Sequence, residues 1–151
     1  MESKTGNIII WTGIFIVLFF GSLGFFFRSA DRMDFRVIFF PDESTHEWKG
    51  EERKVPHRTV AEDAVHALIK EMILGPTELL LIRALPKDTV VRSVLLRGEV
   101  LYVDFSEHLA VSGSSVVIPF DTMLEGVRRT VLYNFPSIEK VVVFISGTEA
   151  G

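Results

Sequence analysis

The sequence predicts an α/β chain of the α+β class: a two-layer sandwich, with two helices packed on one face of a small mixed or antiparallel sheet, preceded by one transmembrane helix. Three observations predict this fold. An uncharged apolar run lies near the N-terminus, two amphipathic helical patterns follow it, and short β-prone runs occur between and around those patterns. The order is strand, helix, strand, strand, helix, strand, which is typical of helices gathered on one side of a sheet.

The N-terminal apolar run covers residues 8–27 (IIIWTGIFIVLFFGSLGFFF) and contains no charge. A helix of this length crosses a hydrocarbon core of about 30 Å. A cleaved signal peptide usually has an apolar region of only about 7 to 15 residues, followed by a small-residue cleavage site. The clearest small residues here, Ser29 and Ala30, lie among charges. The run therefore predicts an uncleaved signal anchor.

The charges around this run do not decide its orientation. Lys4 precedes it, whereas Arg28, Arg32 and Arg36 follow it, and a simple positive-inside count would place the domain in the cytoplasm. That rule weakens for long downstream domains, so charge alone leaves the side open.

Composition excludes several classes of function. The chain has no cysteine, which excludes disulfides, cysteine-ligated metal, a thiol nucleophile and a lipidated cysteine. The four histidines, His46, His57, His66 and His108, have no ligand-like spacing such as HExxH and are predicted to be solvated. Neither a metal nor a cofactor is expected. The net charge of −4 argues against nucleic-acid binding.

The domain begins with a β-prone run at residues 35–40 (FRVIFF). Residues 42–58 are mostly polar, and they form either a plain loop or a hairpin whose return strand lies around residues 53–57. Pro56 would confine that strand to a sheet edge, because proline lacks the amide hydrogen that a ladder needs. Glu51 and Glu52 lack the partner spacing of a glycosidase pair and are predicted to be solvated.

The first domain helix is predicted from its start signal, its periodicity and its stop signal. Thr59 and Glu62 have the T-x-x-E spacing of a capping box. The apolar positions that follow at helical spacing are Ala61, Ala64, Val65, Leu68, Ile69 and Met72. The pair Gly75-Pro76 ends the helix. Residues 79–85 are apolar but stop at Pro86, which predicts a segment packed on the domain.

Two strands, residues 90–96 and 100–105, are predicted on either side of a tight turn at Gly98-Glu99. In the second strand, polar and apolar residues alternate. Because successive side chains of a strand point to opposite faces, Asp104 is expected to point away from the apolar face of that strand. That apolar face consists of Leu101, Val103 and Phe105.

A loop (residues 111–115) precedes the second helix, which is predicted to start near Asp121 or Thr122, where Thr122 and Glu125 repeat the capping-box spacing. The apolar stripe of this helix is Phe120, Met123, Leu124, Val127 and Val131. Phe135-Pro136 ends it. Residues 141–145 (VVVFI) are predicted to form a final strand inside the sheet. A disordered tail is expected from Gly147.

The stretch 101–109 (LYVDFSEHL) brings together the residue types of a hydrolase: Asp104, Ser106, Glu107 and His108. However, Ser106 lacks the G-x-S-x-G context of a nucleophile elbow. Neighbouring strand residues also point to opposite faces, so proximity in sequence does not assemble a triad. We interpret the stretch as a strand end at which Ser106 caps the turn begun by Glu107. No catalytic residue is predicted, and a hydrolase using Asp104–His108 is a remote alternative.

The motifs in this order resemble a GerMN domain, the sporulation and spore-germination module of bacterial cell-envelope proteins. The resemblance covers residues 35–147, and its most specific pieces are Leu74-Gly75-Pro76, Leu85-Pro86 and Val103–Ser106 after a glycine turn. The other matching runs are VIFFPDES, ERKVPHR, TVVRSVLLRGEV, LYNFPSI and KVVVFISG.

The resemblance implies a fold similar to ring-building motifs and a non-catalytic role in assembly outside the cytoplasmic membrane. The expected partners are other envelope proteins or the chain itself, as a homo-oligomer. A peptidoglycan-binding or cell-wall-enzyme-regulating accessory protein is the alternative. Well-known members carry two tandem domains or are lipoproteins, whereas this chain has one such domain and no cysteine.

These expectations divide the chain into five parts. The parts are a short N-terminal tail (residues 1–7), a transmembrane signal anchor (8–27), a linker (28–34), a GerMN-like domain (35–147) and a C-terminal tail (148–151). The expected location is the cytoplasmic membrane, with a single pass and the domain on the extracytoplasmic side.

Overall fold

The computed structural model describes residues 2–28, 32–111 and 118–150 and divides into two compact units, Met1–Arg32 and Met33–Gly151. The first unit contains helix α1, Glu2–Arg28, so the helix includes part of the predicted N-terminal tail. Large apolar side chains such as Trp11 and Val17 are exposed on it. Among the described residues, no helix is long and apolar enough to cross a membrane. The transmembrane prediction is therefore not confirmed.

The second unit contains the predicted alternation of strands and helices. Its elements are β1 (Met33–Pro41), β2 (Trp48–Pro56), α2 (Ala61–Leu74), β3 (Val91–Arg97), β4 (Val100–Phe105), a 3₁₀ turn (Glu107–Leu109), α3 (Phe120–Asn134), β5 (Lys140–Ile145) and β6 (Thr148–Glu149). The hairpin alternative for residues 42–58 is confirmed, because β2 pairs antiparallel with β1.

The strands form two sheets. β1 and β2 make a two-stranded sheet, while the order β3-β4-β5-β6 makes a mixed sheet in which only β4 and β5 are parallel. The α+β class is confirmed. The described residues contain the two predicted domain helices, α2 and α3, in addition to α1. The prediction of a single sheet is wrong, because the strands form two sheets.

The outer edge of β1 is bonded to α3 rather than to another strand. The side-chain amide of Asn134 donates to the Val37 carbonyl (2.6 Å) and accepts from the Val37 amide (3.0 Å). The hydroxyl of Thr130 accepts from the Phe39 amide at 3.2 Å. These helix side chains occupy positions at which a strand would otherwise pair, so none of the described strands continues the sheet at this edge of β1.

The core confirms the predicted apolar faces. Leu68 of α2 and Val127 of α3 are fully buried, as are Leu101, Val103 and Phe105 of β4. Asp104 lies on the opposite face of β4, which confirms the alternation.

In the segment 79–85, packing on the domain is confirmed for Leu81, Ala84 and Leu85, which are buried. Leu79 and Leu80 instead remain exposed.

Both predicted capping boxes are wrong. Helix α2 starts after Val60 and α3 after Pro119, each without a side-chain cap. The carboxylate of Glu62 instead accepts from the Leu96 amide of β3 (3.4 Å), and that of Glu125 pairs with Arg129 (2.9 Å). The carboxylates of Glu62 and Glu125, on which the two capping boxes depend, therefore bond to other partners.

The stop signal of α2 behaves as predicted. Gly75 has φ +88°, a value that favours glycine, and its amide donates to the Met72 carbonyl at 3.1 Å.

The disordered tail predicted from Gly147 is also corrected. Thr148 and Glu149 form β6, which pairs with Ile145 and Phe144 of β5. The turn between them has positive φ at both Ser146 (49°) and Gly147 (84°), as in the tight turns that join antiparallel strands. Of the loop predicted at 111–115, residues 112–115 lie outside the described residues.

Candidate functional site

Asp104 and Ser106 fasten the end of β4 to its neighbours. The Asp104 carboxylate accepts from the Gly147 amide (3.0 Å) and lies 3.6 Å from the Arg92 guanidinium. The Ser106 hydroxyl accepts from the Val90 amide (3.0 Å), and the Ser106 amide donates to the Val90 carbonyl (2.8 Å). The strand-end interpretation is confirmed. The predicted cap is wrong, because Ser106 bonds across to the start of β3 and not to the turn after it.

Glu107 and His108 lie in the 3₁₀ turn and are exposed. Within the described part of the chain, neither side chain contacts the Ser106 hydroxyl, which is occupied by the Val90 amide. The structure therefore does not bring the four polar residues together as a nucleophile, a base and an orienting acid. No group of three His, Asp or Glu side chains in the described residues is placed to hold a metal ion.

A buried polar centre, the Glu51–Arg53 centre, joins β2 to the loop after α2. Glu51 is only 4% exposed, and its carboxylate accepts from the Thr77 amide (3.0 Å), the Thr77 hydroxyl (2.7 Å) and the Glu78 amide (3.3 Å). The prediction of a solvated carboxylate pair is therefore wrong for Glu51, although Glu52 is exposed. Period-two alternation separates the two neighbours, and it was the available signal for this difference.

Arg53 completes this centre from the same strand. Its guanidinium pairs with Glu51, donates to the Gly75 carbonyl at 2.7 Å and lies 3.5 Å from the Glu71 carboxylate. Burial raises the pKa of Glu51, but the bonds from Thr77 and Arg53 outweigh burial and the net pKa is lowered. An ionised carboxylate with its acceptor positions filled holds a loop in place and is not poised to transfer a proton.

A second buried carboxylate, Asp42, orders the β1–β2 connection. It accepts from the Ser44 amide (2.9 Å), the Ser44 hydroxyl (2.6 Å), the Thr45 amide (3.0 Å) and the Lys49 ammonium (2.5 Å). The Lys49 bond, followed by the bonds from Ser44 and Thr45, holds the pKa of Asp42 far below its usual range. The D-x-S spacing of an Asx turn was the sequence signal for this arrangement.

Several exposed aliphatic residues lie in the last turn of α2 and in the segments that follow it. We name this the α2-end surface, and it consists of Leu74, Leu79, Leu80 and Val90, all exposed. A groove of about 390 Å³ lies between the last turns of α2 and the start of β3. Its lining includes Lys70, Ile73, Leu74, Thr89 and Val90. Leu74 and Val90 line this groove, whereas Leu79 and Leu80 lie outside its lining.

Comparison with protein families decides the relationship of the chain. The model of the Germane family, described as sporulation and spore germination, matches residues 37–151. The chain belongs to this family. The GerMN-type domain expected from the motifs is thus confirmed, whereas the ring-building likeness stays a prediction. No curated protein sequence matches the chain significantly.

Solved structures show the same fold. The tandem GerMN domains of the sporulation protein GerM from Bacillus subtilis match with a TM-score of 0.59 and 21% identity, covering 79% of this chain and 41% of that chain. The first GerMN domain of the same protein matches with a TM-score of 0.57 and 21% identity, covering 78% and 86% respectively. The chain therefore spans less than half of the tandem protein's solved length.

Proposed function

We propose that this protein is a membrane-anchored, extracytoplasmic and non-catalytic member of the Germane family that acts in protein–protein interaction or assembly at the bacterial cell envelope. The observation that carries the proposal is the α2-end surface. Leu79 is 97% exposed and Leu80 is 68% exposed, although moving a leucine side chain out of water lowers the free energy.

The Glu51–Arg53 centre supports this proposal because it fixes the loop that presents these leucines. Glu51 holds the amides of Thr77 and Glu78, and Arg53 holds the Gly75 carbonyl. A loop that is already ordered loses less conformational entropy when it binds a partner, so more of the contact energy remains as affinity. The arrangement is suited to presenting a fixed apolar contact.

The non-catalytic part of the proposal rests on how the polar groups are used. Asp104, Ser106, Glu51 and Asp42 have the residue types of an acid, a base or a nucleophile, and each accepts a hydrogen bond from a backbone amide. Their acceptor positions serve strand ends and turns, which leaves little capacity for a substrate.

The membrane anchor and its orientation belong to this proposal as well. The uncharged sequence of residues 8–27 and the exposed apolar side chains on α1 support insertion into a bilayer. Resemblance to envelope modules supports an extracytoplasmic domain. A reporter fused after Gly151 should be active only outside the cytoplasm, and activity confined to the cytoplasm would refute this orientation.

The interaction role is tested by photo-crosslinking in cells. A photoreactive amino acid replaces Leu79 in the full chain, and the same replacement at Val60 serves as the control. Val60 is exposed as well, at 50%, but lies at the opposite end of α2. We expect protein adducts at Leu79 in large excess over Val60. Equal adducts at both positions, or none at Leu79, would contradict the proposal. The peptidoglycan alternative would be favoured if the protein sediments with purified cell wall and Leu79→Asp abolishes this co-sedimentation.

A further inference from the structure

We propose that the partner of the α2-end surface is a second copy of this chain, an inference that rests on the proposed interaction role and names its partner. In this dimer, Leu79 and Leu80 of each copy enter the groove of the other copy. The groove wall that receives them contains Leu74 and Val90.

The first half of this contact is a fixed apolar projection. Leu79 and Leu80 point into solvent, but the backbone on both sides of them is held. The Glu78 amide donates to Glu51 at 3.3 Å, and the Leu80 carbonyl accepts from the Glu43 amide at 2.9 Å. The projection therefore has a defined position and does not need to be ordered by its partner.

The second half is the groove itself. Ile73, Leu74 and Val90 make its walls apolar, which matches the side chains of the projection. Thr89 also lines it, is only 5% exposed, and its hydroxyl has no hydrogen-bond partner among the described residues. A buried hydroxyl without a partner is unfavourable.

Projection and groove are joined by a short stretch of chain. Leu79 follows Leu74 by five residues, so at about 3.4 Å per residue their Cα atoms are separated by at most about 17 Å. A two-fold axis near this stretch would place each projection in the other copy's groove, which closes the assembly at two copies. Both parts of the contact are present on one chain, and this favours a second copy over an unrelated protein.

Charge agrees with this exchange. Glu78 is exposed beside the projection, where it also interacts with Lys49 of its own chain, and Lys70 is exposed on the groove. The exchange brings the Glu78 of one copy toward the Lys70 of the other, and opposite charges at a contact favour the correct register. The other charged residue of the groove, Glu71, lies against Arg53 of its own chain.

Cysteine crosslinking tests the contact directly, because the chain contains no cysteine of its own. Two full-length chains with different tags are co-expressed, one with Leu79→Cys and the other with Val90→Cys, and are oxidised mildly in the membrane. A disulfide requires Cα atoms within about 7 Å, so it reports close approach. The control pairs Leu79→Cys with Val60→Cys, since Val60 and Val90 are similarly exposed, at 50% and 57%.

We expect at least tenfold more mixed dimer from the 79/90 pair than from the 79/60 pair. Leu80→Asp in both chains should abolish the excess, whereas Leu80→Met should retain it. Lys70→Glu should weaken crosslinking, and adding Glu78→Lys should restore it. Equal yields from the two cysteine pairs, or an excess that survives Leu80→Asp, would overturn the proposal.

The photo-crosslinking result separates this inference from the proposed function. If the probe at Leu79 captures a different protein and no second copy, the interaction role stands and the dimer is refuted. If the probe captures nothing, both are refuted. A ladder of higher oligomers in place of a dimer would contradict the two-fold closure.

Discussion

Replacing Glu51 with alanine removes the acceptor around which the loop after α2 is organised. The wild-type carboxylate takes bonds from the Thr77 amide, the Thr77 hydroxyl and the Glu78 amide, and it pairs with Arg53. Without it, two backbone amides and a half-buried guanidinium lose their principal partner. The variant is therefore expected to destabilise the domain strongly.

The magnitude follows from the number and type of bonds lost. A hydrogen bond to a charged group contributes about 1.5–3 kcal/mol, and three such bonds set an upper range of roughly 5–9 kcal/mol. Water can reach part of the vacated space, because the side chain of Arg53 is 14% exposed. Removing one member of a buried ion pair typically costs about 3–5 kcal/mol, and we expect a value in that range. Total stabilities are about 5–15 kcal/mol, so the loss is large.

The measurement is urea unfolding of the full chain in mild detergent, followed by the fluorescence of Trp48 in a Trp11→Phe background. Trp48 belongs to β2 and packs against the core, so its emission reports the domain. Glu52→Ala is the matched control, because the neighbouring carboxylate is exposed and its loss should change stability by no more than about 0.5 kcal/mol. A loss below about 1 kcal/mol for Glu51→Ala would refute the role assigned to this centre.

Three further predictions concern other parts of the domain. The depressed pKa of Asp42 stabilises the fold at pH values above about 3.9, the pKa of an unfolded aspartate, and this contribution is lost as pH falls towards the folded pKa. Stability should therefore fall less steeply below about pH 5 in Asp42→Asn than in the wild type. Parallel acid-unfolding curves of the two proteins would contradict this. Gly126→Ala places a Cβ 2.6 Å from the Trp48 ring. Overpacking should destabilise the domain by about 1–3 kcal/mol, which exceeds the stabilisation of about 1 kcal/mol from the higher helix propensity of alanine. A melting temperature above that of the wild type would contradict this prediction. Ser106→Ala should lower the stability measured by thermal melting by about 1 kcal/mol, because it removes the bond to the Val90 amide. His108→Ala should change stability by no more than about 0.5 kcal/mol and retain function. A stable His108→Ala variant that fails to complement a deletion strain would show that this stretch carries function.

Apolar periodicity allowed much of the fold to be predicted. The helical faces containing Leu68 and Val127 and the alternation that places Asp104 away from the core were all predicted from spacing, and all are confirmed. These features depend on which side of one element is apolar, and that information is local. The division into two sheets was not predictable in this way, because it depends on Asn134 of α3 meeting Val37 of β1.

The same distinction explains the errors over polar residues. Glu62 matches a capping box in sequence but bonds to Leu96, which lies 34 residues further along the chain. Glu51 and Glu52 look alike as neighbours, yet only Glu51 meets the loop that follows α2. A carboxylate can accept from any amide within reach, so its partner is set by tertiary structure. Local motifs alone do not identify it.

The stability of the domain and the proposed contact both depend on the bonds of Glu51, but two different variants can separate their roles. Glu51 supports both the fold and the position of Leu79, since it holds the two amides immediately before that leucine. Loss of the Glu51 carboxylate should therefore lower both the free energy of unfolding and the yield of crosslinking at Leu79. Leu79→Asp removes only an exposed side chain, so it should leave the urea midpoint unchanged while crosslinking through the α2-end surface falls. If the two effects instead move together in both variants, Leu79 serves the fold and the surface has no separate role.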